Sequence, residues 1–294
     1  MKDFFDTIDP KILERIQAFR LMDDDFMSVV FDGDNEATEF LLRILLDRND
    51  LRVKSVMTQK EKRNLFGRSV KLDILAEDFS GKKYNMEVQR ENAGASPRRL
   101  RYNLAMLDSH TLKKNQDFNE LPETYIIFIT ENDYFKHEQP VYKIRKNVEI
   151  TDKDKADLPF DDGCNILYIN GAYRGNDALG RLMHDFCTPN ADEMNYGELA
   201  EKVRFHKQQE GGFRTMSKIM EEYGDEREAE GKKLGRAEGE KLGRAEGEKV
   251  GMLRGKLAAY FDLIKSGLLS VKDAAAKLEM SEDALLQQMA AAGK

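Results

Sequence analysis

Apolar and polar positions follow two different periods along the first two thirds of the chain. Asp34 and Asn35 are good helix N-cap types, and the run from Glu36 to Leu46 then predicts a helix. Leu51 to Met57 predicts a strand. Val70 to Ala76 and Tyr84 to Gln89 alternate apolar with polar residues, the period-two pattern of half-buried strands. Ser96 before Pro97 marks a capped helix start, with the helix continuing to about Leu112. The β-rich run from Glu123 to Thr130 suits a buried strand. The predicted order is therefore helix, three strands, helix, strand. Two more strands are expected at Val141–Ile144 and Asn165–Ile169. Helices are expected from Asn176 to Phe186 and from Ala191 to Tyr223, the second interrupted near Gly211 and Gly212.

The pattern then changes. Glycines stand at 231, 235, 239, 243, 247, 251 and 255, one in every four residues. Seven glycines inside a helix cost roughly 5–7 kcal/mol relative to alanine. Leu234, Leu242 and Val250 recur every eighth residue, which rotates them by about 80° per repeat, so they form no single stripe. Glu240 before Arg244 offers weak helical support. This segment predicts a solvated, partly helical spacer. Beyond it, Ser270–Leu278 and Ser281–Gln288 read as two short helices, each capped by serine with an acidic residue close behind. The pair resembles a helix-turn-helix, but its second helix is not basic, which favours a protein-contacting hairpin over a base reader. The organisation expected is an α/β domain over 1–223, the spacer over 224–256 and a helical hairpin over 257–294.

Composition narrows the function classes. The 294 residues include 47 Lys and Arg against 54 Asp and Glu, a net charge of −7, which argues against coating nucleic acid by bulk charge. Charge is unevenly spread, however: Lys82 to Lys114 holds eight basic residues against three acidic ones. No apolar stretch is long enough for a membrane span, and the first residues do not read as a secretory signal, so a cytoplasmic protein is expected. Two cysteines and four scattered histidines make neither a disulfide framework nor a zinc site. No GxxxxGK[ST] loop for ATP is present.

The candidate chemistry lies in the hairpin. Asp78 to Gly81 fits a type I turn closed by a left-handed Gly81, which pairs Asp78 with Lys82. In that register Leu72, Ile74 and Ala76 face Val88, Met86 and Tyr84 on one apolar side. On the other side Asp73 faces Glu87 and Lys71 faces Gln89. A one-residue slip would mix the two faces. Like charges directly opposed destabilise a sheet, so a divalent cation between Asp73 and Glu87 is one reading, with Gln89 orienting a water. Two solvated carboxylates on an open face, or one of them paired with an arginine, are the other.

Leu72-Asp73-Ile74 followed by Glu87-Val88-Gln89 is similar to the PD-(D/E)XK nuclease signature, in the form where glutamine replaces lysine. The stretches Gly67–Ile74, Tyr84–Arg90, Arg98–Asn103 and Leu121–Asp133 resemble the Rpn family of recombination-promoting nucleases and transposases, over about 23–205. The resemblance implies a restriction-endonuclease-like α-β-β-β-α-β core with a helical C-terminal extension. It implies a Mg²⁺-dependent DNA endonuclease, with Mn²⁺ as a substitute, acting in recombination or transposition. Asp73 and Glu87 would hold the metal, Gln89 would complete the motif, and a glutamate of the first core helix, Glu39 or alternatively Glu36, would join them. Arg90, Arg98, Arg99 and Arg101 would contact DNA phosphates. Glutamine cannot supply the lysine's charge, and Lys71 is the candidate for a nearby ammonium. Two other readings stay open: a catalytically degenerate nuclease fold that binds DNA or protein, and an interaction protein that assembles homo-oligomers through the repeat and tail.

Overall fold

The computed structural model describes residues 4–62, 69–151 and 156–292; of the positions singled out above, Gly67 and Arg68 lie outside these. Two compact units divide the chain, Met1–Met220 and Glu221–Lys294.

The first unit begins with α1 (Pro10–Ala18) and α2 (Asp24–Phe31), followed by α3 (Asn35–Leu46). Then come β1 (Val53–Lys62), β2 (Val70–Asp78), β3 (Lys83–Gln89), α4 (Pro97–Thr111) and β4 (Thr124–Thr130). The predicted core order from α3 to β4 is the order observed. α3 starts where its cap predicts, with the Asp34 carboxylate accepting from the Ala37 N–H at 2.9 Å. α4 starts at Pro97, with Ser96 Oγ accepting from the Arg99 N–H. β5 (Val141–Ile144), the two-residue strands β6 (Asn147–Val148) and β7 (Leu158–Pro159), and β8 (Cys164–Asn170) follow. α5 (Ala178–Cys187), α6 (Gly197–Gln208) and the first residues of α7 (Glu210–Lys265) complete the unit. The break between α6 and α7 falls at Gln209, just before the glycine pair.

Six strands form one sheet in the order β1-β2-β3-β4-β8-β5. β3, β4 and β8 run parallel, and the other neighbours are antiparallel. One face carries Ile74, Ala76, Tyr84, Met86 and Val88 into a large core with Phe26, Leu41, Phe186 and Val203 from the helices. The other face packs Leu75, Ile126 and Phe128 under Leu100 and Leu107 of α4. β4 is buried on both faces, which is why it reads as an unbroken apolar run.

The hairpin turn forms as its residues predict. Gly81 adopts φ +85°, and the Asp78 N–H donates to the Lys82 carbonyl at 3.1 Å. Asp78 Oδ1 accepts from the Ser80 N–H, Ser80 Oγ and the Lys82 N–H, while its Oδ2 accepts from the buried Tyr84 hydroxyl at 2.8 Å. Asp78→Ala would strand several of these donors, so a loss of about 2–4 kcal/mol is expected in urea unfolding. An unchanged midpoint would show that the turn backbone holds without this carboxylate.

Beyond Met220 the glycine repeat departs from the expectation of partial helix. α7 continues through it without a break to Lys265. Residues between the glycines are strong helix formers, and Arg236–Glu240 and Arg244–Glu248 pair at one-turn spacing. Leu242 and Val250 are exposed. α8 (Val271–Lys277) and α9 (Glu282–Ala292) fold onto the end of α7 around Phe261, Ala274, Ala275 and Leu285.

Candidate active site

Pairing of β2 with β3 follows the predicted register from Glu77–Lys83 to Ile74–Met86 and ends there. The expected Asp73–Glu87 and Lys71–Gln89 pairs do not form. Where the ladder opens, the Val88 N–H donates to Asp73 Oδ2 at 3.1 Å. On the other side of β2, the register with β1 runs steadily through Thr58–Ile74 and Lys60–Leu72 but skips Gln59 and Asp73. Gln59 adopts φ +48°, unusual for a non-glycine residue, and its side chain bonds Ser28 of α2. The strand is thus irregular on both sides of Asp73. One consequence corrects the expected alternation: Leu72 belongs to the core under α4 together with Leu75, not to the face of Ile74. A strand that buries one carboxylate beside another relieves the repulsion by opening its ladder there.

Both carboxylates are deeply buried, Asp73 at 6% exposure and Glu87 at 0%. Glu87 Oε1 accepts from Asn85 Nδ2 at 3.2 Å, and its Oε2 faces an Arg99 guanidinium nitrogen at 3.2 Å. Burial, then the charge of Glu87 and then that of Asp24 hold Asp73 well above the usual carboxylate range, against the Val88 N–H and Arg99. Burial pushes Glu87 up to about 7, opposed by Arg99, Asn85 and the Asp73 N–H, and Asp24 adds to the rise. The two groups titrate as a pair that retains a proton near neutrality.

Gln89 ends β3 beside them. Its amide oxygen accepts from a second Arg99 nitrogen at 3.1 Å and lies against Gly94, where a Cβ would come within 1.9 Å of it. The loop carrying Gly94 is anchored by the Tyr168 hydroxyl, which donates to the Ala95 carbonyl at 2.9 Å.

Glu39 is not brought to the pair. Its carboxylate binds Arg43 at 2.5 Å, Arg52 at 2.6 Å and the Val53 N–H at 2.9 Å, tying α3 to the start of β1. Glu36 is exposed in the first turn of α3. The third carboxylate acting on both Asp73 and Glu87 is Asp24, exposed in the first turn of α2. Next to it, Asp23 pairs with Arg90 at 3.0 Å and with Arg20 at 3.8 Å, and Glu131 binds the same two arginines. This network fastens the start of α2 to the ends of β3 and β4. Sequence reading missed Asp24 because Asp23-Asp24-Asp25 before an apolar run is also what any helix N-terminus prefers. The one usable signal was three acids where a single cap suffices.

Of the four arginines expected on DNA, Arg90 is engaged by Asp23 and Glu131, and Arg99 turns inward onto Glu87 and Gln89. Arg98 and Arg101 are exposed on α4, with no ion pair among the described residues. Lys71 is exposed and pairs across to Glu61 of β1.

The donor set suits a hard divalent cation. Among the described residues no three His, Cys, Asp or Glu side chains converge closely enough to hold a metal. Mg²⁺ needs only one or two carboxylates, filling its shell with water and substrate phosphate. The buried Asn85 amide oxygen, which has no partner among the described residues, is a further neutral oxygen in this layer. No helix among the described residues is long and apolar enough to cross a membrane.

Comparison with known proteins bears on the same segment of the chain. Searches of curated proteins and of solved structures give no match. A family model for PD-(D/E)XK nuclease family transposases matches residues 32–171, just under half of the chain, from the end of α2 to the end of β8. Family members generally use divalent metal ions and act on DNA, and the match contains the opened hairpin with Asp73, Glu87 and Gln89. Asp24 lies upstream of it. Residues 32–171 of this chain are therefore similar to the PD-(D/E)XK nuclease family transposases, whose model they match.

Proposed function

We propose that this chain is a Mg²⁺-dependent DNA endonuclease acting in recombination or transposition. The observation that carries the reading is the buried Asp73–Glu87 pair at the point where the β2–β3 ladder opens, within the family segment. Asp73 and Glu87 are the metal ligands. Asp24 is the helix carboxylate in place of Glu39, since Asp24 raises both members of the pair while Glu39 is spent on Arg43, Arg52 and the Val53 N–H. A bound Mg²⁺ or Mn²⁺ would polarise the phosphate and acidify a water.

The protein's own groups do the rest. Arg98 and Arg101 on the exposed face of α4 bind the DNA backbone. Asp73 and Glu87, both held above the usual carboxylate range by burial, would have to be deprotonated to hold the cation, so affinity for the ion would rise with pH through about 7. In the reaction, the water oxygen bonds to phosphorus and the bond from phosphorus to the leaving sugar oxygen breaks. One water proton passes to solvent and the leaving oxygen takes up another.

A second reading, a nuclease fold that binds DNA without cutting it, draws on the neutral Gln89. Nicking of supercoiled plasmid in Mg²⁺ or Mn²⁺ separates the two. Wild-type activity that vanishes in Asp73→Ala and Glu87→Ala supports the nuclease. DNA binding without cleavage supports the second reading, and equal activity in all three proteins removes this site from the chemistry. Assembly of homo-oligomers through the repeat and tail belongs to the same proposal, and sedimentation of the chain with and without 224–294 tests it.

A further inference from the structure

A neutral side chain ends the motif, so the positive charge that would meet the phosphate must come from elsewhere. Arg90 is held by Asp23 and Glu131, and Lys71 lies on the exposed side of β2 towards β1. Arg99 is the cation that acts on both Asp73 and Glu87. It comes from the first turn of α4, where its own N–H is held by the Ser96 cap at 3.3 Å. One guanidinium nitrogen lies 3.2 Å from Glu87 Oε2 and another 3.1 Å from Gln89 Oε1. The side chain keeps 41% exposure, leaving part of the guanidinium open to a phosphate.

We infer that Arg99 and Gln89 together replace the missing lysine: Arg99 is the catalytic cation and Gln89 is the acceptor that aims it. The assignment rests on the nuclease reading above. It explains why a neutral residue sits at position 89. A lysine there would bring an ammonium to about the distance of the present hydrogen bond from a guanidinium, a like-charge contact that costs energy even when partly solvated. An amide oxygen instead accepts from the guanidinium, and Gly94 leaves it room to do so. The exposed part of the guanidinium would then meet the phosphoryl oxygens as negative charge builds on them, as preorganised cations do in stabilising such transition states.

The test is a set of four proteins: wild type, Arg99→Ala, Gln89→Lys and the double variant. Plasmid cleavage is measured in Mg²⁺, DNA affinity in Ca²⁺ and Mn²⁺ binding by calorimetry. Arg99→Ala is expected to lower kcat about 100-fold, while DNA affinity stays within about threefold and Mn²⁺ binding is not weakened. Gln89→Lys alone is expected to lower activity by at least about tenfold through repulsion. Adding Gln89→Lys to Arg99→Ala is expected to restore about tenfold, because the lysine then returns without a rival. Full kcat in Arg99→Ala, a loss confined to DNA affinity, or no restoration in the double variant overturns the inference. Should Arg99→Ala fail to fold, Arg99→Gln carries the same comparison. A wild type that binds DNA but never cleaves it defeats the nuclease reading, and this inference with it. A wild type that cleaves as well as Arg99→Ala does defeats only the role of Arg99.

Discussion

Glu87→Gln is expected to make the metal-free protein more stable at pH 8 and to abolish its response to divalent cations. Glu87 is fully buried, and burial pushes it up to about 7 from an ordinary value of 4.5. A carboxyl raised in this way binds its proton more tightly in the folded state than in the unfolded one. Its favourable contribution is complete below about pH 4 and is lost as pH rises through about 7. Asp73 is raised for the same reasons, so both groups work in one direction. The wild-type melting temperature should therefore fall between pH 5 and pH 8, and that of the glutamine variant should fall less. The difference at pH 8 is expected to be roughly 2–4 kcal/mol. Glutamine keeps an oxygen to accept from Asn85 or Arg99, so the packing survives. Mn²⁺ at about 100 times its dissociation constant should then raise wild-type stability by about 2.7 kcal/mol and leave Glu87→Gln unmoved. A variant that melts lower than wild type at pH 8 and still responds to Mn²⁺ would place the metal elsewhere.

Asp24→Asn and Glu39→Gln are expected to separate chemistry from stability. Asp24 is exposed in the first turn of α2, and its charge acts on both buried carboxylates. Its replacement should lower kcat about 100-fold and leave the urea midpoint within about 0.5 kcal/mol of wild type. Glu39 binds two arginines and the Val53 N–H. Its replacement should cost about 1–3 kcal/mol of stability and leave kcat nearly unchanged in the protein that remains folded. The reverse pattern would return the helix carboxylate to α3. The network of Arg20, Asp23, Arg90 and Glu131 explains how an exposed residue is held in place: it ties the start of α2 to the strand ends that carry the site.

Much of the architecture is legible in local chemistry. Asp34, Ser96 and Ser270 cap the helices they announce, because a short side-chain oxygen satisfies free N–H groups wherever the neighbouring residues can be helical. The Asp78–Gly81 turn and period-two alternation together specify the hairpin register through Ile74–Met86. The glycine repeat was less legible. Propensity argued for partial helix, whereas α7 runs through it on the strength of its charged and apolar helix formers. Asp24 was hidden because an acid in a helix's first turn has a sufficient local reason to be there.

The sequence by itself determined the order of the core elements, the turn, the register beside it and the presence of Asp73, Glu87 and Gln89 at one end of the hairpin. These follow from contacts between residues close along the chain, where spacing dictates which side chains meet. Only the tertiary structure decided that the ladder opens at Asp73, that Leu72 turns to the second core and that Gln59 distorts β1 beside the site. It likewise decided that Glu39 is taken up by Arg43, Arg52 and the Val53 N–H, and that Arg99 closes on Glu87 and Gln89. Those outcomes depend on electrostatic repulsion and burial among residues on α2, β2, β3 and α4, whose proximity exists only after the helices have packed on the sheet.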